Sequence, residues 1–364
     1  MKPLFLVAAL LSAAVPLSAF EVVGTIVYLE GSVEIVRDGE AVDAKLVREG
    51  FDIANYDLLK TGSDGGVEVH LTPAKAPAST IKVSPRTQFS VEIGKAGLKH
   101  QTTIDMVAGS ISMKCAKLTG SQAMKVQTES AVMGVRGTSF AVTTSATGDI
   151  LVTCGEGEVE CDDGARATVR VKAGQAIEKR WGTPLTQLAV AAAVTDIPDD
   201  WLQRQADDLK LNALVKIRQA AFLYSRLRKQ FSEDFTPLEK ARDIITAWRS
   251  EDSRGIRLVK GILLIRQMRQ IKAVLPRLRK TMFWLAPLDA RLAVLKAYHD
   301  EGYGRGDLVA GSSTERFFQE FEQNRPQLTR DMAFVRMVTR LYAIRNRDRL
   351  FTVKAGGIDG LARE

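Results

Sequence analysis

Two of the three cysteines have a spacing that could support covalent chemistry. Cys154 and Cys161 flank the predicted turn Gly155-Glu156-Gly157-Glu158, and each is in phase with an inward-facing valine. A turn centred on Gly157-Glu158 would bring both sulfur atoms together on the inner face, which predicts a disulfide in an oxidising compartment. Two buried free thiols are the alternative. Cys115 has the phase of a core residue and is predicted to be unpaired.

The other residue types that carry chemistry form no recognisable site. His70, His100 and His299 lie far apart in the sequence, so no metal site is predicted. The sequence contains no GxSxG, HExxH, Walker A or GxGxxG pattern and no paired carboxylates. We therefore assign no catalytic residue, and we expect no cofactor and no small-molecule substrate.

Two basic clusters are candidate binding sites for a polyanion. They consist of Arg226, Arg228, Lys229, Arg277, Arg279 and Lys280. The aliphatic residues before the second cluster recur at helical spacing, which indicates a packed helix with a solvated basic face. The alternative is a surface that binds anionic lipid headgroups or an acidic envelope polymer.

The charge of the chain is divided unevenly. The 364 residues have a formal net charge of +8 and a pI of about 9.3. Residues 1–196 hold 19 basic and 22 acidic side chains, whereas residues 197–364 hold 32 and 21. Any attraction for a polyanion is therefore expected in the second half. The content of 45% hydrophobic residues excludes a disordered chain.

The two halves also differ in hydrophobic period. From about residue 22 to 180 apolar residues alternate with polar ones, as in Val67, Val69 and Leu71, and Gly or Asp-Gly turns recur about every ten residues. This pattern predicts a compact all-β domain of short antiparallel strands. From Trp201 onward the period is helical, so the predicted fold class is α+β with segregated domains, the second of them all-α.

Capping signals and prolines give the predicted helix boundaries. A capping box at Thr236-Pro237-Leu238-Glu239 predicts a helix start, and Ser312 with Glu315 predicts another. The predicted helices are 200–231, 237–250, 255–284 with a kink at Pro276, 287–300, 313–323 and 329–350.

The first residues have the pattern of a secretory signal. Lys2 precedes the apolar run Leu4 to Val15 and the small-residue site Leu17-Ser18-Ala19, which predicts cleavage before Phe20. The run is shorter than the ~20 residues of a membrane span. No cysteine lies near the predicted cleavage site, so a lipid anchor is not expected. The predicted location is periplasmic or secreted, and this disfavours nucleic acid as a partner.

An ordered series of short motifs runs through the strand-rich half. Its members are Gly24-Thr25-Ile26-Val27, Gly31-Ser32-Val33, Asp57-Leu58-Leu59-Lys60-Thr61-Gly62-Ser63-Asp64-Gly65, Pro85-Arg86-Thr87, Gly109-Ser110-Ile111, Gly134-Val135-Arg136-Gly137-Thr138-Ser139-Phe140, Gly155-Glu156-Gly157-Glu158-Val159 and Ala173-Gly174-Gln175. The series resembles the FecR-domain family over about residues 24–178. The resemblance implies an all-β extracytoplasmic sensing or interaction domain without catalytic activity.

Signalling members of that family join a sigma-factor-binding cytoplasmic segment and a membrane helix to the FecR domain. Neither is recognised in this sequence, so the sigma-regulator role is not expected to carry over. Within the family motif, Gly137 after Arg136 permits a sharp turn, after which Thr138 continues the strand. Turn chemistry is the first interpretation of these three residues, and ligand contact is the alternative.

The predicted domains are a signal peptide at 1–19, a FecR-like domain at 20–182, a linker at 183–199, a basic helical domain at 200–352 and a tail at 353–364. The predicted function is an exported, non-catalytic envelope protein whose FecR-like domain binds or scaffolds a protein or cell-envelope polymer. One alternative is a protein that binds anionic lipid or another polyanion through the basic helices. The other is an enzyme with an unrecognised site.

Overall fold

The computed structural model of the protein describes residues 20–71, 77–96, 99–118, 122–164, 168–181, 183–188, 199–309 and 312–346. The predicted signal at 1–19 and the predicted tail at 353–364 lie outside these residues. Strands occupy the first half of the described chain and helices the second. The predicted α+β class with segregated parts is confirmed.

The strands of the first half begin at Val22 and end at Leu188. The first nine are β1 (Val22–Glu30), β2 (Val33–Arg37), β3 (Glu40–Ala41), β4 (Asp52–Ala54), β5 (Leu58–Thr61), β6 (Gly66–Leu71), β7 (Ser79–Val83), β8 (Gln88–Ala96) and β9 (Lys99–Cys115). The others are β10 (Gln122–Gln127), β11 (Val132–Val135), β12 (Ser139–Thr144), β13 (Ile150–Glu156), β14 (Glu158–Asp162), β15 (Val169–Lys172), β16 (Gln175–Lys179) and β17 (Thr186–Leu188).

These strands form two sets that share β9. One set has the order β4-β1-β6-β7-β9-β12-β13-β16-β17, and all its pairs are antiparallel. The other has the order β3-β2-β5-β8-β9-β10-β11-β14-β15, in which β9 and β10 are parallel. The prediction of short antiparallel strands is therefore correct except for this pair and for the 17-residue β9. In β6, Val67, Val69 and Leu71 are buried as their alternation predicts.

Strand β9 changes sheet at Gly109. Residues before it pair with β8 and β10, and residues from it onward pair with β12. The φ of Gly109 is +92°, and a Cβ built there would lie 2.4 Å from the Cα of Thr87. Only glycine fits this bend, because it combines a left-handed backbone with a close backbone approach.

Replacing Gly109 with alanine is expected to lower the free energy of unfolding by about 3 kcal/mol or more, since a steric clash adds to the cost of a positive φ. Gly174→Ala is the matched control: its φ is +78°, but no atom lies within 4 Å of its added Cβ. We expect the control to lose only about 1 kcal/mol. Urea-induced unfolding measures both, and equal losses would contradict the steric argument.

In the described residues from 199 onward the chain forms six helices and a small hairpin. They are α1 (Asp199–Leu211), α2 (Ala213–Glu239), α3 (Arg242–Ser253), α4 (Gly261–Lys272), α5 (Leu275–Asp300), the hairpin strands β18 (Asp307–Val309) and β19 (Ser312–Ser313), and α6 (Thr314–Arg345). None of the helices in the described part of the chain is long and apolar enough to cross a membrane.

Several predicted helix boundaries are wrong for a common reason. Helix α2 continues through Thr236 and Pro237, so the predicted capping box is not a helix start, and the predicted helix 200–231 is divided between α1 and α2. Helices α5 and α6 likewise continue through Pro287 and Pro326. Proline tends to end a helix because it lacks the backbone N–H, but burial of the apolar side chains around each proline outweighs this tendency here. At α6 the N-cap is Ser313, whose hydroxyl accepts from the Arg316 N–H at 3.2 Å.

Candidate functional site

Three buried arginines of the helices bind carboxylates of the strand-rich half. Arg279 on α5 donates to both oxygens of Glu92 on β8 at 2.8 Å. Arg291 on α5 pairs with Glu129 and donates to the carbonyl of Ala146 at 2.8 Å. A buried ion pair is costly to break because the remaining charge has no water to solvate it. These pairs therefore fix the helices on the strands, and we call this boundary the seam.

Arg340 on α6 is the third of these arginines. It donates to both oxygens of Asp38 at 2.6 and 2.7 Å, and to Asp252 of α3 at 2.6 Å. Asp38 lies in the turn between β2 and β3, with φ of +51°, and Gly39 follows with +85°. Two successive positive φ values are typical of an Asp-Gly hairpin turn, which aims this carboxylate at α6.

A surface depression of about 730 Å³ opens beside Arg340. Its apolar lining includes Phe20, Val22, Leu46 and Phe51, and its polar lining consists of Arg37, Arg48, Glu49 and Asp52. The Leu46 side chain is 59% exposed, although it is a large apolar group. Exposed apolar groups within a rim of mixed charge are typical of a protein-binding surface.

Arg37 is held rigidly in this depression. Its guanidinium carbon lies 5.2 Å from the ring centroid of Phe20 and 5.1 Å from that of Phe51. It donates to the two carboxylate oxygens of Asp57 at 3.0 and 2.6 Å, and also to the carbonyl of Asp52. Burial raises the pKa of Asp57, although the neighbouring guanidinium opposes this shift.

Phe20 also connects the depression to the seam. The guanidinium carbon of Arg340 lies 4.9 Å from its ring centroid, so Phe20 contacts arginines from both halves of the chain. A rigid platform of aromatic and arginine side chains loses little conformational entropy when a partner binds. The depression is therefore preorganised, and its floor is joined to helix α6.

A second, smaller cavity lies in the seam between β8, β9, α5 and α6. Its volume is about 50 Å³, and Glu92 and Asp105 both line it. Burial, and then the charge of Glu92, raise the pKa of Asp105 to about 7. A carboxyl with a raised pKa beside a second carboxylate could serve acid–base chemistry, but substrate pockets occupy roughly 300–1,000 Å³. This cavity has room for a few waters, so we interpret the carboxylates as part of the seam.

The raised pKa of Asp105 gives a prediction with a defined sign. Between about pH 4 and 7 the unfolded chain releases this proton while the folded chain keeps it, so stability falls as the pH rises through that window. We expect Asp105→Asn to flatten this fall and to be the more stable protein at pH 8. The groups around the carboxyl are Glu92, Arg279, Lys125, Arg336 and Gln127. Thermal unfolding at pH 5, 6, 7 and 8 measures the effect.

Asp207→Asn, at an exposed position of α1, is the control for that series. It should leave the pH dependence of the unfolding temperature unchanged. Parallel curves for Asp105→Asn and the unmodified protein would show that Asp105 has no raised pKa.

Comparison with known proteins bears on the strand-rich half. Residues 57–160 match the family model described as FecR protein. The chain carries a FecR-like domain. The match begins at Asp57, the carboxylate that holds Arg37, whereas all the lining residues of the depression precede it. Curated protein sequences give no match.

Two solved structures are also similar to part of the chain. Both are crystal structures, at 2.50 and 1.65 Å resolution, of a protein from Parabacteroides distasonis ATCC 8503 that is provisionally described as an anti-sigma factor. Each shares 13% identity with this chain and has a TM-score of 0.31. The similarity covers 43% of this chain and 63 or 64% of the solved one, so the chain spans less than two thirds of their length.

The two cysteines of the predicted disulfide lie in the core of the FecR-like domain. Cys154 and Cys161 are both buried and are free thiols in the structure. Strand β13 pairs with β12 and β16, whereas β14 pairs with β11 and β15, so the chain changes sheet at Gly157. Strands β13 and β14 therefore do not pair with each other, although the predicted disulfide assumed that they form a hairpin. The disulfide stays a prediction, which thiol alkylation with and without reductant tests.

The motif Arg136-Gly137-Thr138 forms a turn of the FecR-like domain. Gly137 has φ of +77°, and a Cβ there would lie 2.6 Å from the Cα of Lys117. Arg136 is exposed, whereas Thr138 is buried and its carbonyl accepts from the N–H of Cys115 at 2.9 Å. Gly137 and Thr138 therefore have structural contacts of the kind that a turn requires. Ligand contact through Arg136 is untested.

The predicted polyanion-binding residues divide between surface and interior. Arg226, Lys229 and Lys280 are exposed, Arg228 is half-buried, and Arg277 is exposed in an ion pair with Asp234 at 3.2 Å. Arg279 was wrongly predicted as a surface residue. Arg277 and Lys280 beside it are exposed, but the face of α5 that carries Arg279 packs on β8 and β9, where Glu92 binds it.

No pattern in the sequence predicted the depression or the seam. Phe20 lies before β1, Arg37 ends β2 and Phe51 lies just before β4, so no local spacing connects them. The only signal in the sequence is the Asp38-Gly39 turn, which indicated a hairpin but not its partner Arg340. Such sites depend on contacts between distant segments.

Proposed function

We propose that this protein is a non-catalytic regulatory or signalling protein of the cell envelope, and that its FecR-like domain binds a protein partner. The observation that supports the proposal best is the depression with its preorganised Arg37 platform. Aromatic and arginine side chains are enriched among the residues that dominate protein–protein binding energy. A periplasmic or secreted location belongs to the proposal and rests on the pattern of residues 1–19.

The charge of the depression favours a protein over an acidic envelope polymer. Its rim carries both signs, with Arg37 and Arg48 beside Glu49 and Asp52. A uniformly anionic polymer would be repelled by the two carboxylates, whereas a folded protein can match both signs and cover Leu46 and Val22. Among the described residues no group of three His, Cys, Asp or Glu side chains could hold a metal ion.

The seam connects the depression to the helices through Phe20. Phe20 contacts both Arg37 of the depression and Arg340 of α6. A partner that covers Phe20 and Arg37 would therefore change the surroundings of a buried ion pair. We propose that the helical half responds to the partner through this contact.

Leu46→Asp tests the proposed surface. We expect it to weaken capture of the partner from the envelope fraction of the native host about 10-fold, since an interface residue of this kind contributes over 1 kcal/mol. Val309→Asp is the matched control, because Val309 is also an exposed aliphatic residue and lies on the hairpin β18–β19, outside the lining of the depression. Quantitative mass spectrometry of the captured proteins measures the difference. If no captured protein distinguishes the two variants, the proposal fails.

A further inference from the structure

The segment Arg254–Lys272, which contains α4, combines apolar exposure with a uniform charge. Five of its aliphatic side chains are exposed: Ile256, Leu258, Ile262, Leu263 and Ile265. Ile262 is 80% exposed and Leu258 70%. The same segment contains six basic residues, Arg254, Arg257, Lys260, Arg266, Arg269 and Lys272, and no acidic residue. We call this segment the α4 surface.

The α4 surface is attached to the protein by one face only. Ile271 is buried, Leu264 and Met268 are half-buried, and Gln267 accepts from the indole N–H of Trp248 at 2.8 Å. These positions follow helical spacing and define the inner face of α4. The opposite face carries Ile262, Ile265, Arg266 and Arg269, all exposed.

The basic side chains of the α4 surface are available for an external anion. Arg257 pairs with Asp252 at 3.2 Å. Within the described part of the chain, the structure gives no ion pair to Arg254, Lys260, Arg266, Arg269 or Lys272. Their charge is therefore not neutralised by the protein itself.

From this arrangement we infer that the α4 surface binds an anionic lipid bilayer, with Ile262 and Ile265 inserted among the headgroups. An interfacial helix needs exposed aliphatic groups for insertion and basic groups for the lipid phosphates, and the α4 surface supplies both. This function is separate from partner binding at the depression and uses residues other than the predicted basic clusters.

Other occupants fit the same observations less well. A second copy of this surface would bring six positive charges against six. Single-stranded nucleic acid binds by stacking bases on aromatic side chains, and residues 254–272 contain no Phe, Trp or Tyr. An acidic polymer would use the charges but would leave Leu258, Ile262 and Ile265 exposed to water.

Flotation of the protein that begins at Phe20, without the predicted signal, tests the inference with vesicles. Vesicles of phosphatidylglycerol and phosphatidylcholine (2:3) should bind the protein at low salt, whereas pure phosphatidylcholine should bind at least 10-fold less. Arg266→Gln with Arg269→Gln should weaken binding roughly 30-fold, on about 1 kcal/mol per basic residue. Ile262→Ser with Ile265→Ser, which leaves the charge unchanged, should weaken it at least about 10-fold through lost insertion.

Two control variants show whether binding depends on the α4 surface or only on the total charge and the exposed apolar area of the protein. Arg226→Gln with Lys229→Gln removes two exposed charges from α2, and Val309→Asp changes an exposed aliphatic residue of the hairpin. Both should bind within twofold of the unmodified protein. All substituted side chains are exposed, so each variant should keep its unfolding temperature, which is measured first.

A dye on a cysteine replacing Ile262 gives an independent readout. Its emission should shift to the blue on the anionic vesicles and not on polyglutamate, which supplies charge without an apolar phase. Equal binding to both vesicle types, equal binding by the α4 variants and the controls, or the absence of a blue shift would overturn the inference.

Discussion

Replacing Arg340 with methionine is expected to lower the free energy of unfolding by about 3 kcal/mol. The guanidinium binds Asp38 and Asp252, and it is buried between α6, α3 and the β2–β3 turn. Methionine keeps most of the apolar stem but leaves two carboxylates without this cation, and removing one partner of a buried pair costs roughly 3–5 kcal/mol. We take the lower end because Arg257 still pairs with Asp252. Urea-induced unfolding at pH 7 measures the loss.

Arg249→Met is the matched control for this prediction. Arg249 on α3 also reaches the strand-rich half, where it pairs with Glu40 of β3 at 2.7 Å, but both side chains are exposed. An exposed pair contributes only about 0–1 kcal/mol. A loss for Arg340→Met as small as the loss for Arg249→Met would show that the buried pair does not hold the seam together.

Replacing Arg37 with methionine is expected to cost about 2 kcal/mol at pH 7 and less at pH 4. Asp57 is buried and would keep only the N–H of Ala54 among its present donors. The pKa of Asp57, already raised by burial, would rise further without the cation. As the pH falls through that raised pKa the carboxyl becomes neutral, so the penalty disappears on the acid side.

The double variant Arg37→Met with Asp57→Asn tests the cause of that penalty. It removes the buried charge together with its cation, and the asparagine oxygen can still accept from Ala54. We expect it to recover more than half of the stability lost by Arg37→Met and to show no added pH dependence. A loss that is independent of pH, or no recovery in the double variant, would contradict this account of the Arg37 platform.

Local patterns predicted those parts of the fold that depend on neighbouring residues. The alternation of Val67, Val69 and Leu71 gives the buried face of β6, because a strand exposes successive side chains on opposite sides. The change from period two to a helical period likewise separated the strand-rich half from the helices. Both signals are properties of short windows of sequence.

The errors arise where distant segments decide the structure. Arg279 and Lys280 are adjacent on α5, yet one is buried against Glu92 and the other is exposed, because only one of them faces the sheet. The strands around Cys154 and Cys161 belong to different sheets, which no local spacing reveals. The α4 surface was predicted as part of a packed helix, since its aliphatic spacing does not show how many faces are covered.

Site-specific photo-crosslinking in the native host tests the central claim, which is that the depression of the strand-rich half binds a protein partner. A benzophenone amino acid is placed at Leu46 in the depression or, as a control, at Phe222, an exposed apolar residue of α2. We predict one discrete adduct from position 46, identifiable by mass spectrometry, and none from position 222. The absence of an adduct at position 46, or the same adducts from both positions, would contradict the claim.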